Sequence, residues 1–363
     1  MANGFPVKAN YATGDILTAT NMNELSATLN YLQYMPPRNF VLNSAMNVWQ
    51  RGTSISAAAS SNNYTADRWL LQAQPSQAST VSRQATGDTT NLPNIQYCAR
   101  VQRNSGQTGT GTIYFVQNFE TLNSVPLAGK SVTISFYARA GANYSPTSSY
   151  LTCQIISGTG TDQNVVIGGF TGQTGVISQN ATLTTTWQRF SYTGTIPTNS
   201  TQIATLFGYT PTGTAGAADY FEVTGVQLEI GSYADNYYSN QPTYQGELAA
   251  CQRYYQRMTA DATAVYKTFS TGWAASTTAG IGYFYTPVTM RVTPTSVDYS
   301  TLQWADGANA GVAVTAVAVN TSFCGNQVLA VDATVASGLT QYRPYMLRAA
   351  NSSTAYLGFN AEL

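Results

Sequence analysis

The chain has 363 residues, with 16 basic and 16 acidic side chains and no histidine. Charged residues make up 9% of it, against about 25% in an ordinary soluble domain. This composition excludes histidine-based acid–base catalysis, Ser-His-Asp and Cys-His nucleophile arrangements, His-containing zinc sites, and any net field drawing the protein to nucleic acid or an anionic membrane.

In chain order, the first element predicted is a short helix in the segment 1–37. Asn21 and Glu24 form a capping pair. Met22, Leu25, Leu29 and Leu32 then recur at helical spacing until Pro36-Pro37 stops the helix. About two turns are too short to be stable alone, so the stripe must pack on its own domain or on copies of itself. No basic region leads into an apolar run, and no apolar stretch is long enough to span a membrane. The expectation is a protein made soluble in the cytoplasm.

Residues 38–232 have a β pattern. Apolar runs recur as NFVLNS, DRWLLQ, YCARVQ, GTIYFVQNF, SVTISFYARA, YLTCQII, TWQRFSYTGTI, IATLFGY and DYFEVTGVQLEI, divided by Ser, Thr, Gly, Asn and Pro clusters. In SVTISFYARA, Val132, Ile134, Phe136 and Ala138 alternate with Thr133, Ser135, Tyr137 and Arg139, predicting one buried and one wet face. Eight or nine such strands with no helix between them predict an antiparallel two-sheet sandwich of jelly-roll type.

A tyrosine-rich linker and helix occupy 233–258. Pro242 ends any strand, and Thr243 supplies an N-cap. Tyr244, Leu248, Cys251, Tyr255 and Met258 then follow at steps of four, three, four and three, predicting a helix through Met258. Its stripe can lie on its own sandwich or meet other copies of the chain. Residues 259–363 return to β runs, from AVYKTFSTGWA to a final TAYLGFNAEL that is expected to pack into a sheet. The predicted fold class is therefore mainly β: a short N-terminal helix, a β-sandwich, a linking helix and a second, smaller C-terminal β-sandwich.

Four cysteines lie far apart without a CxxC pair and are expected as buried small apolar residues. With 25 tyrosines, 13 phenylalanines and 5 tryptophans, the chain is well supplied with flat rings that can stack on the C–H faces of sugars. Trp49, Trp69 and Trp187 sit in strand contexts and are expected in the core. Tyr237 and Tyr238 lie in a polar loop and are surface candidates. In the last region Trp273, Tyr283, Tyr285, Trp304, Tyr342 and Tyr345 are candidates for a distal ligand site, with core or subunit packing the competing role for each. Arg51, Asp67 and Arg68 are conspicuous charges in a charge-poor chain and are expected to orient loops. No loop concentrates acids as a calcium site requires, and no cofactor or metal site is predicted. Glu222 with Glu229, or Asp298 with Asp306, could in principle form a hydrolytic carboxylate pair, but the coil repeat of a β-helical depolymerase is absent, so no enzyme activity is expected. The basic residues are scattered, without a phosphate loop, so no nucleic acid partner is expected.

The stretches NFVLNSAMNVWQRGTS, YTADRWLLQ, VTGVQLEIGSYADNYY and GELAACQRYYQRM resemble a group of tailed-bacteriophage virion proteins: tail-fibre and receptor-binding proteins with a carbohydrate-binding-like jelly roll. YATGDILTATNMNELSATLNYL is similar to the attachment segments of such proteins. The resemblance covers about residues 10–258. It implies a homo-oligomer, usually a homotrimer, mounted on a tail, baseplate or other virion protein by its N-terminus. Met22, Leu25, Leu29, Leu32 and the stripe from Tyr244 to Met258 would then be candidate interface positions. It also implies a β-rich far end facing a host-surface glycan or protein, and sandwiches that often carry a structural calcium. The alternatives left open are a non-adhesive structural virion component and, further off, a glycan depolymerase.

Overall fold

The computed structural model describes residues 39–73, 77–307 and 311–363. The predicted helix on 21–32, with Met22, Leu25, Leu29 and Leu32, lies outside them. Twelve strands build the first half: β1 (Ser54–Ala57), β2 (Asn62–Tyr64), β3 (Leu70–Gln72), β4 (Ser79–Ala85), β5 (Tyr97–Arg103), β6 (Ile113–Asn118), β7 (Ser131–Ala140), β8 (Tyr150–Gly158), β9 (Thr174–Thr182), β10 (Gln188–Thr195), β11 (Gln202–Tyr209) and β12 (Tyr220–Ile230). A single turn of helix, α1 (Thr121–Ser124), follows β6. The strands form two six-stranded sheets, ordered β1-β4-β5-β12-β7-β10 and β2-β3-β6-β11-β8-β9. Every pairing is antiparallel.

The core between the sheets follows from period-two alternation. Val132, Ile134, Phe136 and Ala138 of β7 all face inward and are fully buried. Trp69 stacks on Phe115 at 4.7 Å, and Phe136 meets Phe207 edge-on at 4.8 Å. Strand β12 changes parity midway: Phe221 and Val223 face the core, and then so do Val226 and Leu228. A bulge between Thr224 and Gln227 makes the switch, and Gly225 takes φ +57° there. A Cβ on Gly225 would lie 2.8 Å from Ile95 Cδ1 and 2.9 Å from the Tyr137 ring, so glycine serves both the turn and the close approach.

Two expectations need correcting in this half. NFVLNS is a turn, not a strand. The second face of β7 is not uniformly wet, because Thr133 and Ser135 are also buried. Thr133 bonds Thr193 at 2.8 Å and the Gly231 carbonyl at 2.9 Å, while Ser135 accepts from Arg189 at 3.1 Å. Such partners let hydroxyls be buried without loss.

Helix α2 (Tyr244–Gln252) begins as predicted, with the Thr243 hydroxyl accepting from Gly246 N at 3.1 Å. It stops at Gln252 rather than Met258. The next residues form β13 (Tyr255–Thr259), paired with β21 (Tyr356–Asn360). The run YYQRMT is rich in strand formers, and sheet pairing overrides the helical spacing. The face of α2 held against the chain carries Glu247 and Cys251, while Tyr244 is exposed and Leu248 half-buried. Glu247 accepts from Asn43 N and from Ser239 Oγ, which compensates its burial.

The last region is not a second sandwich. Strands β14 (Thr268–Ala274), β15 (Ala279–Tyr285), β17 (Leu302–Ala305), β18 (Val312–Val319), β19 (Val328–Val335) and β20 (Pro344–Ala349) close into a barrel ordered β14-β15-β19-β18-β17-β20. Beside it, β16 (Ser296–Ser300) and β13 flank β21 in a three-stranded sheet. Closure depends on small residues. A Cβ on Gly280 would sit 2.7 Å from the indole of Trp304, which fills the barrel interior, and one on Gly282 would sit 3.3 Å from it. Bulkier side chains there would push the wall outward, whereas glycine lets the sheet curl onto itself and removes its edges.

The sandwich and the last region meet across an ionic and aromatic seam. Glu362 lies between Arg68 and Arg51, and Arg68 stacks at 3.6 Å on Tyr254. Arg253 and the Tyr254 hydroxyl both donate to Glu120, at 2.5 and 2.9 Å. Arg291 binds Asp162 at 2.9 Å and the carbonyls of Ala361 and Glu362. Asp67 holds Gln50, whose amide donates to the Tyr255 carbonyl at 2.7 Å. Asp67 thus orients the turn at Gln50 as expected, whereas Arg51 and Arg68 pair with Glu362 across the seam rather than with Asp67.

Candidate functional site

The outer face of the barrel is set by strand register. Trp273 of β14 is opposite Ile281 of β15, Ile281 opposite Asp332 of β19, and Asp332 opposite Ala318 of β18. One step along, Thr271 is opposite Tyr283, and Tyr283 opposite Ala330. Side chains two apart share a face, so these positions form a grid in which Trp273 and Tyr283 are diagonal neighbours roughly 7–8 Å apart. The opposite parity fills the interior with Phe284, Leu329, Val331 and Ala333.

Two aromatics on this face have a second ring beside them. Trp273 stacks with Tyr342, centroids 6.5 Å apart at 27°. Tyr283 meets Phe323 at 6.3 Å and 58°. Tyr342 is 74% exposed and Phe323 53%. Diagonal to Tyr283, and beyond Ile281 from Trp273, Asp332 accepts from Asn320 Nδ2 at 2.8 Å, and no other hydrogen bond among the described residues reaches its carboxylate. Asn320 is itself fixed, because its Oδ1 accepts from Ser322 N and Phe323 N, both at 3.1 Å. That turn carries Phe323 to Tyr283. The result is an outer surface carrying two ring pairs, with an oriented carboxylate beside the Tyr283–Phe323 pair. Such a surface can stack on one face of a ring and accept hydroxyl hydrogens at its edge.

The sequence candidates divide clearly. Trp273, Tyr283 and Tyr342 come together on this face, and Tyr285, 83% exposed, is the next outward residue of β15. Trp304 and Tyr345 do not join them. Trp304 is fully buried in the barrel and donates to the Ala333 carbonyl at 3.0 Å. Tyr345 is buried too, and its hydroxyl accepts from Thr340 N at 3.0 Å. Tyr238 is half-exposed on the linker. Tyr237 turns inward to Ser44 at 2.7 Å, and burial pushes its hydroxyl pKa up to about 12. Sequence reasoning missed Asp332, Asn320 and Phe323. The VLAVDATV run held the signal, since an acid at an outward position of an apolar strand needs a partner.

Among the proposed interface positions, Cys251 and Tyr255 are buried against their own chain. Tyr255 has the Arg51 guanidinium 3.4 Å from its ring and donates to Asp298 at 2.7 Å. Met258 packs on the barrel core, so Tyr244 and Leu248 remain the accessible members of the stripe. Trp49, Trp69 and Trp187 are buried as expected, each donating its indole N–H to a backbone carbonyl. All four cysteines are free, three of them buried. No cluster of acids, cysteines and histidines able to hold a metal occurs among the described residues. None of the described helices is long and apolar enough to cross a membrane.

No protein-family model matches the chain, and neither does any curated protein. Among solved structures it is similar to a CBM4 module, at 24% identity over 37% of this chain and 71% of that one, with a TM-score of 0.26. It is also similar to the CBM22-1 xylan-binding domain of Paenibacillus barcinonensis Xyn10C, at 11% identity over 55% of this chain and 98% of that one, with a TM-score of 0.31. A third likeness is to the enzymatically active domain of tailspike protein 4 from bacteriophage CBA120, at 12% identity over 53% of this chain, with a TM-score of 0.31. The chain spans 21% of that tailspike structure.

Proposed function

We propose that this protein is an adhesive component of a bacteriophage virion, a tail fibre or receptor-binding protein that attaches to host-surface glycan through the outer face of its C-terminal barrel. The observation that carries the binding role is the pairing of Trp273 with Tyr342 and of Tyr283 with Phe323 on one face, with Asp332 diagonal to Tyr283. Exposed ring pairs held by strand register provide preorganised stacking surface at small entropic cost. The virion setting is supported by the resemblance of the segments around Trp49, Trp69, Val223–Tyr238 and Gly246–Met258 to phage virion proteins. In this reading residues 1–37 dock to the tail or baseplate, and three copies associate as a homotrimer. Individual contacts are weak, and repetition on the particle raises avidity by orders of magnitude.

The proposed role is binding without turnover. Asp332 has no second carboxylate opposite it in the register, whereas glycosidic hydrolysis normally uses two acids. The test is a glycan array and a host-cell binding assay with the full chain, Trp273→Ala and Tyr283→Ala. Loss of binding in both variants, with unchanged thermal unfolding, is the expected result. Array binding retained by both variants would refute the barrel site, and release of reducing sugars from host polysaccharide would refute binding without turnover.

A further inference from the structure

A second concave surface lies away from the barrel face, where the sandwich meets the three-stranded sheet. It is a groove of about 380 Å³ with Arg51 and Tyr64 on one side and Arg257, Asp298, Tyr356 and Asn360 on the other. None of these residues belongs to the barrel grid. The groove is lined mostly by polar groups, and its side chains are already fixed. Arg51 lies 3.4 Å from the ring of Tyr255 and 5.2 Å from that of Tyr64. Arg257 stacks at 3.5 Å on Tyr356 and donates Nη1 to the Arg51 carbonyl at 3.0 Å. Asp298 Oδ2 accepts from the Tyr255 hydroxyl at 2.7 Å, and Asn360 Oδ1 accepts from Glu362 N at 3.1 Å.

Three of these groups keep an unused donor or acceptor. Asp298 Oδ1 and Asn360 Nδ2 take part in no hydrogen bond among the described residues. The Nε of Arg257 is buried without a partner. Among the described residues Arg257 also forms no ion pair, whereas Arg51, Arg68, Arg253 and Arg291 around the same seam each face a carboxylate. In a chain with so few charges, an uncompensated guanidinium on the wall of a groove calls for an anion. The acceptor on Asp298 and the donor on Asn360 complement hydroxyls, each of which both donates and accepts. Guanidinium, carboxylate and amide together match a sugar ring that carries a carboxylate.

We propose that this groove is a second saccharide site, selective for an acidic sugar whose carboxylate pairs with Arg257 and whose hydroxyls bond Asp298 and Asn360. The test is isothermal titration of the full chain with uronate-bearing di- to hexasaccharides, each alongside its carboxyl-reduced counterpart. At least one uronate series is expected to bind, and carboxyl reduction should weaken it roughly tenfold or more, the range for losing a charge-assisted contact. Arg257→Gln should give the same loss and abolish the salt dependence, and Asp298→Asn should weaken both members of a pair. Trp273→Ala should leave this binding unchanged, so failure here and failure of the barrel face are separable. Should Arg257→Gln not fold, Asn360→Asp decides, since it keeps the Oδ1 that accepts from Glu362 N and replaces only the Nδ2 donor; it should weaken uronate binding. No uronate binding, binding indifferent to carboxyl reduction, or binding lost in Trp273→Ala would each overturn the proposal.

Discussion

Replacing Glu362 by glutamine tests how the two halves are joined. The Glu362 side chain is 2% exposed, as is that of Arg68, and Arg51 is 12% exposed. Glutamine keeps the shape but removes the only carboxylate paired with either arginine among the described residues. Arg68 retains a bond to the Asn118 carbonyl at 2.7 Å and its stack on Tyr254, but its Nε already lacks a partner. A buried guanidinium without a counterion costs about 3–5 kcal/mol, well above the value of an exposed pair. Urea unfolding of the full chain, followed by tryptophan fluorescence, should show a loss of that size. Glu362→Leu combined with Arg68→Leu should recover part of it, because the fully buried charge is then removed and only Arg51, 12% exposed, loses its partner. A loss below about 1 kcal/mol for Glu362→Gln would show that water reaches the seam and that the pair does not couple the halves.

Three further outcomes follow from the same geometry. Burial, opposed by Arg51 and by the Gln50 hydrogen bonds, raises the Asp67 pKa to about 6 from 3.8. Because the folded value lies above the unfolded one, the stabilisation from protonated Asp67 is full below pH 3.8 and is lost as pH rises through 6; relative to Asp67→Asn, the wild type should lose about 3 kcal/mol between pH 4 and 7 in unfolding titrations. Gly225→Ala should destabilise the sandwich by roughly 1–3 kcal/mol through positive φ and contact with Ile95, measured by calorimetry, and a neutral result would mean the bulge relaxes freely. Leu248→Asp should lower the mass seen by light scattering while leaving the circular dichroism unchanged, and an unchanged mass would remove α2 from any contact between copies.

Much of the β architecture was legible because bulky inward residues alternate. β7 runs over the whole predicted segment, and β5, β6, β8, β11 and β12 all fall on quoted apolar runs. The strands that escaped notice were β1, β2, β4 and β9, with sequences such as SISA, NNY and TGVISQNAT. Three of these are edge strands, where one neighbour suffices and polar side chains face water, so alternation is weak. The barrel was misread as a sandwich because closure leaves no trace in periodicity. Its signal was steric: Gly280 and Gly282 opposite a tryptophan. β13 was hidden because Tyr244, Leu248, Cys251, Tyr255 and Met258 satisfy a helical period by coincidence, and only pairing with a strand about a hundred residues away decides between the two. The barrel aromatics were legible by type but not by side. Parity separates Trp273, Tyr283 and Tyr285 from Trp304, and parity needs the register.

The scarcity of charge acquires a physical meaning once the seam is seen. Arg51, Arg68, Arg253 and Arg291 all pair across the junction between the sandwich and the last region, with Glu362, Glu120 and Asp162. Apolar packing between two β-bodies is tolerant of sliding, whereas buried ion pairs fix one arrangement because every displaced charge is penalised. Such rigidity would serve the attachment role proposed above. Binding several weak ligands together gains most when the sites do not reorient after the first contact, since each later contact then loses less entropy. The groove and the barrel face lie on bodies locked by this network, so Glu362→Gln should weaken multivalent attachment to a cell surface more than it weakens binding of one soluble oligosaccharide.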